Sequence, residues 1–165
     1  MDKTSLTARV ITISTRAAAG IWQDTSGPII VEALTNLGFN CAAPTVIPDG
    51  PEIVDALKDA VNHNINVVIT TGGTGHTPND VTPEMTLQVI ERHSPGIAEA
   101  IRSYGVASGV PTAILSRGVA GIAGKTFIVN LPGSAGGVRD GMKVLGDVLV
   151  HLVDQMNGGD HTRKD

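Results

Sequence analysis

The 165-residue sequence predicts a single α/β domain in three layers, a mainly parallel sheet with helices on both faces. Three observations lead there. Short β-branched runs recur at Arg9-Val-Ile-Thr-Ile-Ser14, Val67-Val-Ile-Thr-Thr71 and Thr126-Phe-Ile-Val129. Helical apolar spacing fills most of the chain between them, and strands that alternate with helices build parallel sheets covered on both sides. Glycine is the compositional outlier, at 20 residues beside an aromatic fraction of 2%. Such a core is made of Val, Ile, Leu and Ala, and its backbones approach one another closely.

Arg9 to Ser14 is the first strand, followed by a glycine-bearing loop from Thr15 to Ser26. Pro28 suits a helix start, and Ile30, Ala33, Leu34 and Leu37 carry the spacing of a buried face until Gly38 stops it. Cys41 to Ile47 reads as one weaker strand, with Pro44 placing it at an edge. Asp49-Gly-Pro51 is a turn, and Ile53, Val54, Leu57, Ala60 and Val61 mark a helix. Val67 to Thr71 is a buried strand that runs into Gly72-Gly-Thr-Gly75. Thr82-Pro83-Glu84 opens a helix with Thr82 as N-cap, and Ser94-Pro95 opens another. Ala113-Ile-Leu115 and Thr126 to Val129 read as strands around the glycine-rich stretch from Gly118 to Gly124. Val138, Met142, Leu145, Leu149, Leu152 and Met156 form one apolar stripe, spaced 4, 3, 4, 3 and 4, which predicts one helix from Val138 to Met156. The expected organisation is a flexible start over 1–8, one domain over 9–157 and a flexible tail over 158–165.

Composition excludes several function classes. Twelve basic against 16 acidic residues leave a net charge of −4, with no basic stripe for a nucleic-acid backbone. Four aromatics, Trp22, Phe39, Tyr104 and Phe127, do not make a platform for stacking successive bases. Cys41 is the single cysteine, so an intrachain disulfide or a thiolate zinc site is excluded. No apolar run approaches the roughly 20 residues of a membrane span, and the polar start lacks a signal-peptide core. The expectation is a cytoplasmic protein with neither nucleic-acid nor membrane partners.

The loops after Ser14, Ile47, Thr71 and Val129 all follow strands, and in open α/β sheets ligands sit at the carboxyl ends of strands. Gly72, Gly73, Thr74 and Gly75 form a turn whose backbone N–H groups suit a phosphate. The dinucleotide fingerprint is absent, because Pro78 stands where its third glycine belongs. Gly124-Lys125-Thr126 is no P-loop: Val119 replaces the required glycine and a strand follows, so a hairpin turn is expected. Asp49, Asp80 and Glu84 flank the glycine turn. Magnesium is held by one or two carboxylates together with phosphates, whereas helix capping is the plainer role. For Asp80 both readings are open, and for Glu84 capping is favoured. Ser116-Arg117 and Asn130-Leu-Pro-Gly-Ser134 form a second set, in which Ser134 precedes a helix and suits either an anion or an ordinary cap.

Thr70-Thr-Gly-Gly-Thr-Gly75, Asp80-Val-Thr-Pro-Glu84 and Asn130-Leu-Pro-Gly-Ser134, after an opening Ser14-Thr-Arg16, Gly20, Asp24 and Ser26-Gly27-Pro28, together resemble the molybdenum-cofactor biosynthesis family. This is the molybdopterin-binding fold of bacterial Mog and MoaB proteins and of the gephyrin G domain and its plant counterpart, and the bacterial Mog members are the most similar. The resemblance runs from about Arg9 to Met156. It implies a homotrimer that uses Mg²⁺ and ATP to adenylylate molybdopterin, releases pyrophosphate, and leaves molybdate insertion to a separate protein. By position it implies catalytic roles for Asp49 and Asp80, with Glu84 a further metal candidate. Gly72, Gly73, Thr74 and Gly75 would bind nucleotide phosphates. Ser14, Ser116, Arg117, Pro132, Gly133 and Ser134 would hold molybdopterin. Ala135 departs from the family's common proline after the serine. A non-catalytic binding or scaffold member and a nucleotide pyrophosphate hydrolase are the alternatives.

Overall fold

The computed structural model describes residues 5–159. In chain order the elements are β1 (Thr7–Ile13), α1 (Thr15–Ala18), α2 (Ser26–Asn36), β2 (Asn40–Cys41), β3 (Thr45–Ile47), α3 (Glu52–Asn62), β4 (Val67–Thr71), α4 (Thr82–Leu87), β5 (Arg92–His93), α5 (Pro95–Ala107), a 3-10 helix (Pro111–Leu115), β6 (Ala120–Ala123), β7 (Thr126–Leu131), α6 (Ala135–Gly146) and α7 (Leu149–Met156). The sheet runs β2-β1-β4-β7-β6-β5, with β3 also paired to β1. The strands from β2 and β3 through β7 are parallel, while β6 and β5 close the far edge as antiparallel partners.

Strand periodicity divides the core. Val10, Val67, Ile69, Phe127 and Val129 face one side, against Ile30 and Leu34 of α2, Ile101 of α5, Leu145 of α6 and Leu149 of α7. Ile11, Ile13, Val68 and Ile128 face the other, against Ile53, Leu57 and Ala60 of α3. The three-layer expectation therefore stands. Each central strand is apolar on both faces, as a sheet covered twice requires.

The differences from expectation are local. β1 begins at Thr7, and Thr7 and Ala8 pair with Asn40 and Cys41, so the end of the stretch expected to be flexible belongs to the sheet. Residues 1–4 and 160–165 lie outside the described part. At the other end, Gly158 and Gly159 donate to Gln155 O and Asp154 O at 3.0 and 2.9 Å, closing α7 where a frayed tail was expected. Gly158 has φ +87°, the left-handed cap that suits glycine. The edge segment from Cys41 to Ile47 is two short strands separated at Ala42 to Pro44, because proline lacks the N–H a ladder needs.

Ala113-Ile-Leu115 belongs to a 3-10 helix, not a strand. It lies against α5 where Gly105 leaves room: a Cβ there would stand 2.5 Å from the Ala113 Cβ. The strand hidden in the glycine-rich stretch is β6. Gly121 makes it possible, since a Cβ would meet the Arg92 carbonyl and the Ile90 side chain, each at 2.5 Å. The last helix is two helices, broken around Val148, whose φ is −125°. Val148 N donates to Leu145 O and Leu152 N to Val148 O, so the apolar stripe survives the break. Thr82 is the first residue of α4 and not its cap; its hydroxyl reaches back to Gly72 O at 2.9 Å.

Candidate active site

Pairing register levels the strand ends. Thr12 stands opposite Thr71, Thr71 opposite Leu131, and Ile13 opposite Ile47. The four loops that leave these strands meet at the carboxyl edge, as expected. They enclose a polar cleft of about 440 Å³ lined by Ser14, Asp24, Asp49, Gly72, Gly73 and Asp80 among others.

The glycine loop is shaped by what presses on it. Gly72 has φ +100°, and a Cβ there would collide with the Ile13 carbonyl. A Cβ on Gly73 would lie 2.9 Å from Asp49 Oδ1, and one on Gly75 would lie 2.7 Å from Asp80 Oδ2. Each acidic side chain thus rests on a glycine, and the absence of Cβ makes room for a carboxylate. The Gly72 N–H is spent on Leu131 O at 3.1 Å. Those of Gly73, Thr74 and Gly75 donate to no described residue, so three donors point from the turn.

Both carboxylates are oriented by neighbours. Asp49 Oδ2 accepts from the Thr15 hydroxyl at 2.8 Å and from Thr15 N at 3.3 Å. The Asp49 N–H returns a bond to Thr15 Oγ1 at 3.2 Å. Asp80 Oδ2 accepts from Thr77 N at 3.0 Å, and Asp80 N donates to Thr77 O at 3.0 Å. Asp24 is a third carboxylate on the cleft, with its oxygens taken by Thr12 Oγ1 (2.7 Å) and Gly27 N (2.9 Å). It thereby caps the first turn of α2.

Arg117 and Glu84 stand apart from the roles expected of them. Arg117 Nε donates to Gly75 O at 2.8 Å and Nη2 to Asp80 O at 2.7 Å, while Nη1 pairs with Glu84. All three nitrogens of the guanidinium bind the glycine loop or the start of α4, and Arg117 lines neither cavity. The Arg117 hydrogen bond holds the Glu84 carboxyl below the usual glutamate range, against a smaller opposing effect of desolvation. An acid held in an ion pair is poorly placed to bind a metal, and Glu84 also lines neither cavity.

Ser116, Pro132, Gly133 and Ser134 line a second, larger cavity of about 940 Å³, with Arg139 and Lys143 contributing positive charge. Ser134 is the N-cap of α6, its Oγ accepting from Gly137 N at 3.1 Å. Ser14 does the same for α1, accepting from Ala17 N at 3.1 Å, and it lies on the smaller cleft. Gly73, Asp80 and Gly133 line both cavities, so the two adjoin at Asp80. Gly133 is also the seam between loops: its carbonyl accepts from Ser26 Oγ at 2.7 Å, and the Pro132 carbonyl accepts from Thr71 Oγ1 at 2.7 Å.

The sequence profile described as a probable molybdopterin binding domain matches residues 9–151. The chain belongs to this family of molybdenum-cofactor biosynthesis proteins. Among solved structures, the Mog molybdopterin biosynthesis protein of Mycobacterium ulcerans is 50% identical, with a TM-score of 0.89 over 94% of this chain and 99% of that one. The molybdopterin adenylyltransferase of Escherichia coli is 38% identical over 86% of this chain and 76% of its own length. That of Helicobacter pylori is 35% identical over 90% and 86%. Other relatives are longer. The chain spans 25% of the molybdenum cofactor synthesis protein cinnamon of Drosophila melanogaster and 48% of a molybdenum cofactor biosynthesis bifunctional protein of Synechococcus elongatus, at 36% identity to each.

In this family member, the sequence points to the two acids and the glycine turn that the fold brings together at the cleft, but not to Thr15 and Thr77, which hydrogen-bond the two acids. A threonine in a polar loop carries no signal of its own. Asp24 was visible only as part of the family's opening motif, and its capping bond to Gly27 follows the ordinary Asx pattern.

Proposed function

We propose that the protein joins molybdopterin to the adenylyl group of ATP and releases pyrophosphate. The observation that carries this is the pair Asp49 and Asp80, each resting on a glycine of one loop, with Asp80 at the boundary of two cavities. A transfer between two bound anionic substrates needs two adjoining pockets and charge control where they meet.

The nucleotide occupies the polar cleft, its phosphates at the N–H of Gly73, where the cleft meets the larger cavity on which Thr74 and Gly75 lie. Molybdopterin occupies the larger cavity, with Ser116, Pro132, Gly133 and Ser134 about it and Arg139 and Lys143 balancing its phosphate. A terminal phosphate oxygen of molybdopterin attacks the α-phosphorus, the bond from that phosphorus to the bridging oxygen breaks, and pyrophosphate leaves. Two hard carboxylates suit Mg²⁺, which takes few protein ligands beside phosphate and water. Among the described residues no group of three or more His, Cys, Asp or Glu gathers as a protein-only metal cage. Asp49 and Asp80 would hold the ion, and when bound it supplies positive charge against the phosphates. Thr15 and Thr77 keep the two carboxylates aimed into the cleft. Arg117 positions the loop instead of touching substrate.

The product is passed to a molybdate-insertion protein, a step for which the longer bifunctional relatives give support. The assembly is a homotrimer, the action is cytoplasmic, and one domain over 9–157 performs it. Among the described residues no helix is long and apolar enough to cross a membrane.

Pyrophosphate release from Mg·ATP, with and without molybdopterin, tests the reading in wild type and Asp80→Ala. Release that needs molybdopterin and falls at least about 100-fold in the variant supports it. Release without molybdopterin would point to a hydrolase, and tight molybdopterin binding without release would point to a scaffold.

A further inference from the structure

Trp22 is the only tryptophan of the chain. It is 57% exposed, although burying such a ring would be worth a few kcal/mol. Its position is built and not incidental. Ile21 N and Trp22 N both donate to Arg16 O, at 2.9 and 3.3 Å, so the segment after α1 folds back on that helix as a closed turn. The Arg16 guanidinium carbon stands 4.4 Å from the ring centroid, within cation–π range. Arg16 and Trp22 line the same polar cleft as Asp49, Asp80, Gly72 and Gly73. Among the described residues Trp22 is the only Phe, Tyr or Trp on either cavity.

We propose that Trp22 is the stacking surface for the purine ring of the nucleotide, with Arg16 backing the ring on its other face. This rests on the nucleotide reading of the polar cleft. The glycine turn and the two acids recognise phosphate and its counter-charge, which every nucleoside triphosphate shares. Recognition of the base needs a different surface, and the cleft offers one flat apolar ring. A tryptophan fixed by its backbone turn and by the guanidinium is preorganised, so little ordering entropy is lost when a base settles on it. One ring suits one base, which agrees with a chain that lacks a platform for a nucleic-acid strand.

The single indole also supplies the probe. Under selective excitation, fluorescence reports Trp22 alone. The protein is titrated with Mg·ATP, Mg·tripolyphosphate and a soluble pterin, with binding measured in parallel by equilibrium dialysis. Mg·ATP should change the fluorescence with the midpoint found by dialysis, and Mg·tripolyphosphate should bind without changing it. Trp22→Ala should raise the Kd for ATP about tenfold and leave that for tripolyphosphate unchanged, while Trp22→Phe should recover most of the loss. ATP that binds in dialysis without a fluorescence response overturns the inference and leaves the nucleotide reading standing. So does a Trp22→Ala variant that weakens tripolyphosphate as much as ATP. A response to the pterin and not to ATP moves the ring to the other substrate and overturns the assignment. ATP that fails to bind in dialysis overturns the nucleotide reading itself, and the inference with it.

Discussion

The Nε of Arg117 donates to the carbonyl oxygen of Gly75 at 2.8 Å, across 42 residues of sequence. The same guanidinium takes the Asp80 carbonyl and the Glu84 carboxylate, so one side chain ties the glycine turn to the start of α4. Asp80 lies between those ties. Its aim into the cleft therefore depends on a residue that touches no cavity.

Arg117→Ala should keep the fold and lose activity. Charged hydrogen bonds are worth roughly 1.5–3 kcal/mol when buried, and less at a half-exposed site. A loss of about 1–2 kcal/mol lowers Tm by roughly 2–8 °C in a domain this size. The turnover loss should be larger in proportion, about 10- to 100-fold in kcat, because small misplacements of catalytic groups are costly. Arg117→Lys should recover little, since an ammonium cannot span three acceptors as a planar fork does. Calorimetry beside a pyrophosphate-release assay checks both. A large fall in Tm with unchanged kcat would refute the positioning role.

Gly75→Ala separates carboxylate placement from backbone strain. Gly75, unlike Gly72 and Gly73, is not at positive φ, so alanine suits its backbone. The added Cβ would stand 2.7 Å from Asp80 Oδ2 and must push the carboxylate aside. The expected result is a near-native Tm with kcat down about tenfold or more. Gly72→Ala, at φ +100° against the Ile13 carbonyl, should instead lower Tm outright.

What could be read from sequence follows a physical divide. The buried strands at Val67 and Phe127 and the helix around Leu57 announce themselves, because burial imposes periodicity on consecutive residues. Asp49, Asp80 and the glycine turn are legible because their chemistry is unusual for loops. β6 is not legible, because Gly121 belongs there for the crowding of Ile90 and Arg92, which are distant in sequence. The roles of Arg117 and Glu84 are hidden for the same reason. The family resemblance implies that Arg117 holds molybdopterin, and only the fold shows its donors already taken by Gly75, Asp80 and Glu84. The stripe from Val138 to Met156 predicts the buried face correctly and the helix count wrongly, since a short turn at Val148, with φ −125° and ψ −23°, leaves the face in register.

The Thr15 hydroxyl should matter through Asp49. It donates to Asp49 Oδ2 at 2.8 Å and accepts from the Asp49 N–H at 3.2 Å. Thr15→Val removes both bonds while keeping the shape, and should lower kcat several-fold with little effect on the Kd for molybdopterin. Thr15→Ser restores the hydroxyl and should restore turnover. Turnover kept in Thr15→Val but lost in Thr15→Ser would show that packing by the methyl group, and not orientation of Asp49, is what Thr15 supplies.

The Arg117–Glu84 pair also predicts a pH dependence. The Arg117 hydrogen bond holds the Glu84 carboxyl below its ordinary range in the folded protein. Folding therefore favours the ionised form, and the stabilisation is fully present above the ordinary glutamate value of about 4.3. It is lost as pH falls through the lowered folded value. Wild type should thus melt above Glu84→Gln at neutral pH, and the gap should close on the acid side of the ordinary glutamate range. Because the Glu84 side chain is 49% exposed, solvent screening keeps the gap small, about 1–4 °C. Added salt should narrow it further. Thermal melts of the two proteins across an acid pH series check the sign. A gap that widens as pH falls, or that is indifferent to pH, would mean that Glu84 contributes shape to the α4 start and not charge to the clamp.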